Sequence, residues 1–213
     1  MRLVVTAGPT REWLDAVRFL SNPSSGRMGQ AIASAAVRRG HQVALVRGPV
    51  ALPPPAGLVE LREVETTEEM LAACLQLWPR ADALVMAAAP ADFRPETRLA
   101  GKLKKDALGE AISLRLVRTP DILTALARAR RPGQLLVGFA LEAEQGEAHA
   151  RAKLERKGLD LIVLNAPSNF AIEHGAAITI LGREGVRGRH EGSKDELAER
   201  VLEQLERERA IRS

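Results

Sequence analysis

Five short apolar runs recur along the chain, and between them lie stretches with helical spacing and helix-terminating signals. The runs are "RLVVTAG" (2–8), "QVALVRG" (42–48), "ADALVMAAA" (81–89), "QLLVGFAL" (134–141) and "LDLIVLNA" (159–166). Helical patterns cover 26–39, 66–79, 119–133 and 144–157. Strands separated by helices of this length pair in parallel, because only a long crossover returns the chain to the same edge of the sheet. The unbroken apolar character of "LDLIVL" and "QLLVGF" marks strands covered on both faces. The expected fold is α/β: a three-layer, Rossmann-like, mostly parallel sheet with helices on both faces. A chain of 213 residues suits one such domain, spanning 1–213, with a small flap or dimerisation annex at about 93–118.

Local signals set the element ends. Thr66 caps a helix with acids in its first turn, and Ser193 with Glu196 forms a capping box before the last helix. Thr119 reads as a cap, with Pro120 in the first helical position and Gly133 past the end. Four prolines in "PVALPPPAGL" exclude helix and central strand. "ISLRLV" alternates apolar and polar residues like an exposed strand, and "AAITILGREGVRGRH" reads as a late hairpin turning near Glu184–Gly185, a second candidate for the annex.

Composition narrows the function classes. A single cysteine, Cys74, allows no internal disulfide and fits a reducing compartment. The N-terminal strand pattern lacks the regions of a signal peptide, and no apolar run is long enough to span a bilayer. A cytoplasmic location without membrane attachment is therefore expected. The net charge is +4, but aromatic residues make up only 3% and tyrosine is absent, so stacking platforms for nucleic acid are scarce. Most of the 31 Lys and Arg read as ordinary solubilising surface charge, and the others suit a smaller polyanion such as a nucleoside triphosphate or a phosphorylated metabolite.

In sheets of this kind ligands bind beyond the carboxyl ends of the strands. Four loops there carry unusual chemistry: "TAGPTREWLDAVRFLSNPSSGRMG", "AAAPADFRP", "FALEAE" and "NAPSNF". Gly26 and Gly29 let a loop and a helix start come close to a ligand, and the first-turn N–H groups with Ser24 and Ser25 suit phosphate oxygens. The plainer alternative is that Ser25 caps the helix and the glycines permit close packing. The run lacks G-x-G-x-x-G, no acid ends the second strand, and no Walker A loop occurs. Asp92, at a strand end, is placed to hold Mg²⁺ bound to phosphates. "KLKK" (102–105) is either a solvated charge run or a lid over a triphosphate. Lys153 and Lys157 share one helix face. The four histidines show no metal-ligand spacing, while Cys74, Trp13 and Trp78 read as packing residues.

Taken in order, "TAGPTREWLDAVRFLSNPSSGRMGQAIA", "AAAPADFRP", "GKLKKD", "TPDIL", "VGFALE" and "ARAKLERKGLDLIVLN" resemble phosphopantothenate–cysteine ligase, over nearly the whole chain. The resemblance implies an enzyme of coenzyme A biosynthesis that uses CTP to turn the carboxylate of 4′-phosphopantothenate into an acyl-cytidylate. L-cysteine then attacks, and pyrophosphate and CMP are released. In many bacteria this ligase is fused behind a flavin-dependent decarboxylase. The chain resembles the ligase part alone, so no flavin is expected and a separate decarboxylase is a potential partner. A homodimer is also implied.

By position, Asn22 resembles the asparagine that contacts the acyl-nucleotide, Arg18 an arginine near the phosphopantothenate site, and Lys102 the flap lysine needed for catalysis. Asp92 and the strand end Met86, Ala87 and Ala88 resemble nucleotide contacts. So do Pro120, Asp121, Ile122, Leu123, Phe139, Lys153 and Lys157. The chain departs from the family pattern at Pro90, Thr119, Ala166 and Ala177, which bears on CTP against ATP. Two rival readings are an NADP-binding Rossmann-type reductase, with Arg47 meeting the 2′-phosphate, and a non-catalytic nucleotide-binding or basic RNA-binding module.

Overall fold

The computed structural model describes residues 1–104, 110–141, 146–165 and 176–212. Ala166, the rest of "NAPSNF", Lys105 and residues 144–145 of the expected fourth helix lie outside the described residues.

Parallel pairing organises the molecule. Strand β1 (Arg2–Ala7) sits between β4 (Gln42–Arg47) and β6 (Ala83–Met86), parallel to both. On one side the sheet continues from β4 to β5 (Glu60–Glu63). On the other it runs from β6 to β9 (Leu135–Leu141) and β10 (Leu161–Asn165), still parallel. β11 (Ala176–Gly182) and β12 (Gly185–Gly192) close this edge antiparallel, giving the order β12-β11-β10-β9-β6-β1-β4-β5. The late hairpin therefore extends the main sheet and is not part of an annex. Its β10–β11 ladder joins it to a strand whose residues Leu161, Ile162 and Val163 are buried.

Alternation along the strands sorts their side chains into two layers. Leu3, Val5, Val43, Leu45, Val85 and Val137 pack with α1 (Arg27–Arg38) and α5 (Lys194–Ile211). Val4, Ala44, Leu84, Leu136 and Ile162 pack with α2 (Thr67–Leu77), α3 (Ile122–Arg128) and α4 (Gly146–Lys157). Helices thus cover both faces, as the sequence pattern requires. Trp78 and Cys74 lie in the second layer: Trp78 Nε1 donates to the Leu126 carbonyl at 3.0 Å, and burial pushes the Cys74 thiol up to about 12.

Helix ends follow side-chain chemistry, with one difference. Thr66 with Glu69 and Ser193 with Glu196 form capping boxes at α2 and α5. Helix α3 is capped by Asp121, not Thr119, and stops at Arg128, well before Gly133. The Thr119 hydroxyl is engaged elsewhere, donating to the Ala91 carbonyl at 2.6 Å, so the next oxygen-bearing residue takes the cap. Only Leu116–Arg118 of "ISLRLV" forms a strand, β8, which pairs antiparallel with β7 (Phe93–Pro95). The hairpin of β2 (Arg11–Trp13) and β3 (Phe19–Ser21) has no counterpart in the sequence reading. Its three-residue strands are too short for a period, and it is held by the Trp13–Phe19 edge contact at 5.2 Å between centroids. The edge strand β5, also unread, follows the proline segment and carries Glu60, Arg62 and Glu63, charges that discourage edge-to-edge pairing.

Helix α1 lies close against β1 because Gly29 lacks a side chain. A Cβ there would stand 2.5 Å from the Thr6 carbonyl oxygen and 2.6 Å from Ala7 Cβ. The end of helix α1 and the residues just after it are also tied to α5 by Arg38–Glu199 (2.9 Å), Arg39–Glu199 (2.8 Å), Arg39–Glu206 (2.6 Å) and His41–Glu206 (2.8 Å).

Gly29→Ala should cost about 1–3 kcal/mol through overpacking against backbone that cannot yield. The measurement is the urea midpoint, expected to fall with an unchanged slope. Acid should loosen the α1–α5 contact. Bonds from Arg39 and His41 lower the pKa of Glu206; partial burial raises that of Glu199, but bonds from Arg38 and Arg39 outweigh it. Both carboxyls thus have a lower pKa folded than unfolded. Their contribution is complete above the unfolded value of 4.5 and disappears as the pH falls through the folded values. Urea midpoints across pH 3–6 should decline below about 4.5, and Glu206→Gln should flatten part of that decline.

Candidate active site

A cleft of about 1090 Å³ opens beyond the carboxyl ends of β1, β6, β9 and β10. It lies where strand order reverses: the chain adds β4 and β5 on one side of β1, then returns to the other side with β6. Its walls come from residues 22–28, 86–93, 118–123 and 139–141, with Lys153 and Lys157 of α4, Asn165 and Lys194.

The first wall is the start of α1. Gly26 occupies the N-cap position at φ 72°, a left-handed conformation that suits glycine, and no side chain caps the helix. Its N–H is donated to Ser24 Oγ at 3.4 Å, so the Ser25 cap is not formed. The first-turn N–H groups therefore have no intrahelical acceptor and face the cleft mouth. Gly29 does not line the cleft: it is buried against β1, and its lack of a side chain serves packing. Asn22 lines it, but both amide hydrogens are engaged, Nδ2 donating to the carbonyls of Ala89 (3.3 Å) and Pro90 (2.9 Å).

A buried polar network sets the second wall. Thr6 Oγ1 donates to Met86 Sδ at 3.3 Å and accepts from the Ala88 N–H at 3.0 Å, fixing the exit of β6. Further on, Ala91 N–H donates to Thr10 Oγ1 (2.9 Å), and Thr10 and Thr67 hydroxyls bond at 2.9 Å. Thr67 donates its hydroxyl (2.7 Å) and N–H (2.9 Å) to the buried carboxylate of Glu12. Sequence reasoning missed this network; its one signal is a threonine inside each apolar or turn segment. Held this way, the loop presents Met86, Ala87, Ala88 and an exposed Asp92 to the cleft.

The third wall carries Pro120, Asp121, Ile122 and Leu123, and Phe139 also lines the cleft. Lys157 bonds to Asp121, and Lys153 Nζ donates to the Phe139 carbonyl at 2.8 Å. Burial raises the Asp121 pKa, yet the bonds from Lys157 and Thr124 outweigh it and the net shift is downward. Two cations absent from the sequence reading complete the rim: Arg27 from α1 and Lys194 from the first position of α5. Partial burial and the Arg27 charge both lower the Lys194 pKa. Among the described residues neither has a hydrogen bond or ion pair through its side chain. Nothing in the local sequence could have signalled Lys194, which the fold brings in from far along the chain.

Arg18 and Lys102 stand outside the cleft. Arg18 pairs with the buried Asp15 (2.8 Å) and reaches the Leu103 carbonyl; Lys102 is exposed beside it. Burial pushes the Asp15 carboxyl up, but N–H groups from Val17, Leu103 and Arg18, with the Arg18 charge, hold it at about 2. Arg47 is buried, bonded to Glu63 and to the Leu52 carbonyl, so the one residue supporting the NADP reading is engaged inside the protein.

Among the described residues no group of three or more His, Cys, Asp or Glu could hold a metal ion by itself. Among the described residues Asp92 and Asp121 are the carboxylates of the cleft lining, and Asp121 is paired. Magnesium at Asp92 would take its remaining ligands from phosphate and water, its usual arrangement at nucleotide sites. No helix among the described residues is long and apolar enough to cross a membrane.

Residues 1–208 match the family described as the DNA/pantothenate metabolism flavoprotein C-terminal domain. The coenzyme A biosynthesis bifunctional protein CoaBC of Bacillus subtilis (strain 168) is 44% identical over 186 residues, which cover 86% of this chain and 45% of that protein. CoaBC of Mycolicibacterium smegmatis is 43% identical over 221 residues, covering 96% and 52%. The chain thus spans about half the length of the curated relatives it matches. The crystal structure of the C-terminal domain of a CoaBC shares the fold at a TM-score of 0.80 and 37% identity, covering 96% of this chain and 93% of that one. From this extent and level of similarity, the chain belongs to the DNA/pantothenate metabolism flavoprotein C-terminal domain family.

Proposed function

We propose that the chain is a phosphopantothenate–cysteine ligase acting in coenzyme A biosynthesis, with CTP as co-substrate. One observation carries this reading: residues far apart in sequence, among them Asn22, Asp92, Asp121, Phe139 and Lys153, line one cleft in a chain whose relatives are coenzyme A biosynthesis proteins. The cleft volume suits a nucleoside triphosphate with a second substrate.

The chemistry needed is activation of a carboxylate, a poor electrophile at neutral pH. Transfer of a nucleotidyl group to its oxygen forms a mixed anhydride and expels pyrophosphate. The cysteine amine then displaces the nucleotide and the amide bond forms. The protein's part is positioning and neutralising charge. In this reading the first turn of α1, with Ser24, Ser25, Arg27 and Lys194, holds the phosphates. Asp92 would hold Mg²⁺, which would supply charge neutralisation at the phosphates, and the base lies between Phe139 and the 120–123 segment. Lys153 and Lys157 meet polar groups of the nucleotide. Asn22 must exchange at least one of its carbonyl partners to donate to the oxygen that gains charge. Lys102 acts on the acyl-nucleotide from the loop beside the cleft. The exposed apolar side chains of Phe93, Ile112, Leu114 and Leu116 support the homodimer, since they gather on the annex.

With CTP, Mg²⁺, 4′-phosphopantothenate and L-cysteine, the purified chain should release pyrophosphate, and omitting phosphopantothenate should abolish release. Silence with CTP, ATP, GTP and UTP alike overturns the reading. Removing one charge-assisted contact to a phosphate costs about 1.5–3 kcal/mol, so Lys194→Gln or Arg27→Gln should raise the nucleotide KM about tenfold or more. Steady-state kinetics check this, and an unchanged KM in both variants places the phosphates elsewhere.

A further inference from the structure

The carboxylate of Asp15 is completely buried and collects four N–H donors. Oδ1 accepts from the backbone of Val17 and of Arg18, both at 2.7 Å. Oδ2 accepts from Arg18 Nη1 at 2.8 Å and from the Leu103 backbone at 3.1 Å. Arg18 then donates from Nη1 and Nη2 to the Leu103 carbonyl, each at 3.3 Å. One residue of the lysine loop is thus gripped by both of its backbone polar groups. A second tie runs from the Leu99 N–H to the Leu14 carbonyl at 3.0 Å.

The turn after β2 does not require this arrangement. Bonds from Val17 and Arg18 to Oδ1, with the N–H groups of Leu14 and Asp15 on the Arg18 carbonyl, close the turn without Oδ2. The second oxygen and the guanidinium instead face a segment 85 to 88 residues away in sequence. None of Asp15, Arg18 and Leu103 lines the cleft. A buried carboxylate with a charged partner and no ligand-facing atom is suited to fixing backbone, and the backbone it fixes adjoins Lys102.

We propose that Asp15 is a positioning residue for Lys102: together with Arg18 it clamps Leu103 and so sets the path of the lysine loop. Arg18 acts through this clasp and not by touching substrate. The inference rests on the ligase reading only in giving Lys102 its task at the cleft.

Two readouts test it. The first needs no activity: trypsin cleavage at Lys102 and Lys104 in the ligand-free protein, followed by fragment mass. Asp15→Asn places an amide donor among N–H groups, and Arg18→Gln leaves both Oδ1 bonds of the turn intact. Each should speed cleavage at these two sites about tenfold or more; Asp15→Asn should also lower Tm, whereas Arg18→Gln should leave Tm and cleavage elsewhere nearly unchanged, because local opening governs the rate. The second readout is a double-mutant cycle on ligase turnover. Arg18→Gln should lower kcat with little change in nucleotide KM, and should cost nothing further once Lys102 is Gln. Equal cleavage rates in the wild type and Arg18→Gln overturn the clasp, and full additivity of Arg18→Gln with Lys102→Gln overturns its action through the lysine. If the wild type shows no turnover with any nucleotide, the ligase reading fails and the proteolysis result alone decides the clasp.

Discussion

The parallel pairing of β1 with β6 is the constraint on which the rest depends. Strands are added in one direction from β1 and then in the other, so the loops leaving β1 and β6 diverge and a crevice must open between them. Everything in the cleft hangs from that divergence: the bare start of α1 on one lip, Asp92 on the other. Thr6 sits at the seam and bonds across it, to Met86 and Ala88, so the two exits cannot drift apart without breaking buried hydrogen bonds.

Much of this was legible in the chain. Continuous apolar runs alternating with capped helices gave the layers, because burial on both faces leaves little room for polar residues in a strand. Caps at Thr66 and Ser193 were readable because each is satisfied within its own helix. The cap of α3 was misread for the opposite reason: Thr119 bonds to Ala91, a residue distant in sequence. The late hairpin was recognised as a hairpin but not as part of the main sheet, since its β10 partner is a tertiary choice.

The site divides the same way. The cleft segments could be found from strand ends and small residues, so Gly26, Asp92 and the 120–123 segment fall on one wall or another. Gly29 looked like a second phosphate glycine, but a helix–strand contact accounts for it. Arg18 and Lys102 lie beside the cleft, and one carboxylate, Asp15, bonds both Arg18 and the Leu103 backbone that follows Lys102. The polar network of Thr10, Thr67 and Glu12 was invisible for that reason as well. Buried hydroxyl clusters are a property of packing and leave no period in a sequence.

The contact between Gly29 and the β1 backbone has a consequence for how such a cleft can diversify. With no spare room between helix and strand, the cradle at the head of α1 has a fixed height above the sheet. A descendant chain that accepts a different nucleotide or acid cannot get there by raising or lowering this helix. Its freedom lies across the crevice, in the side chains after β6, before α3 and at the end of β9, where replacing a residue disturbs no main-chain contact of that closeness.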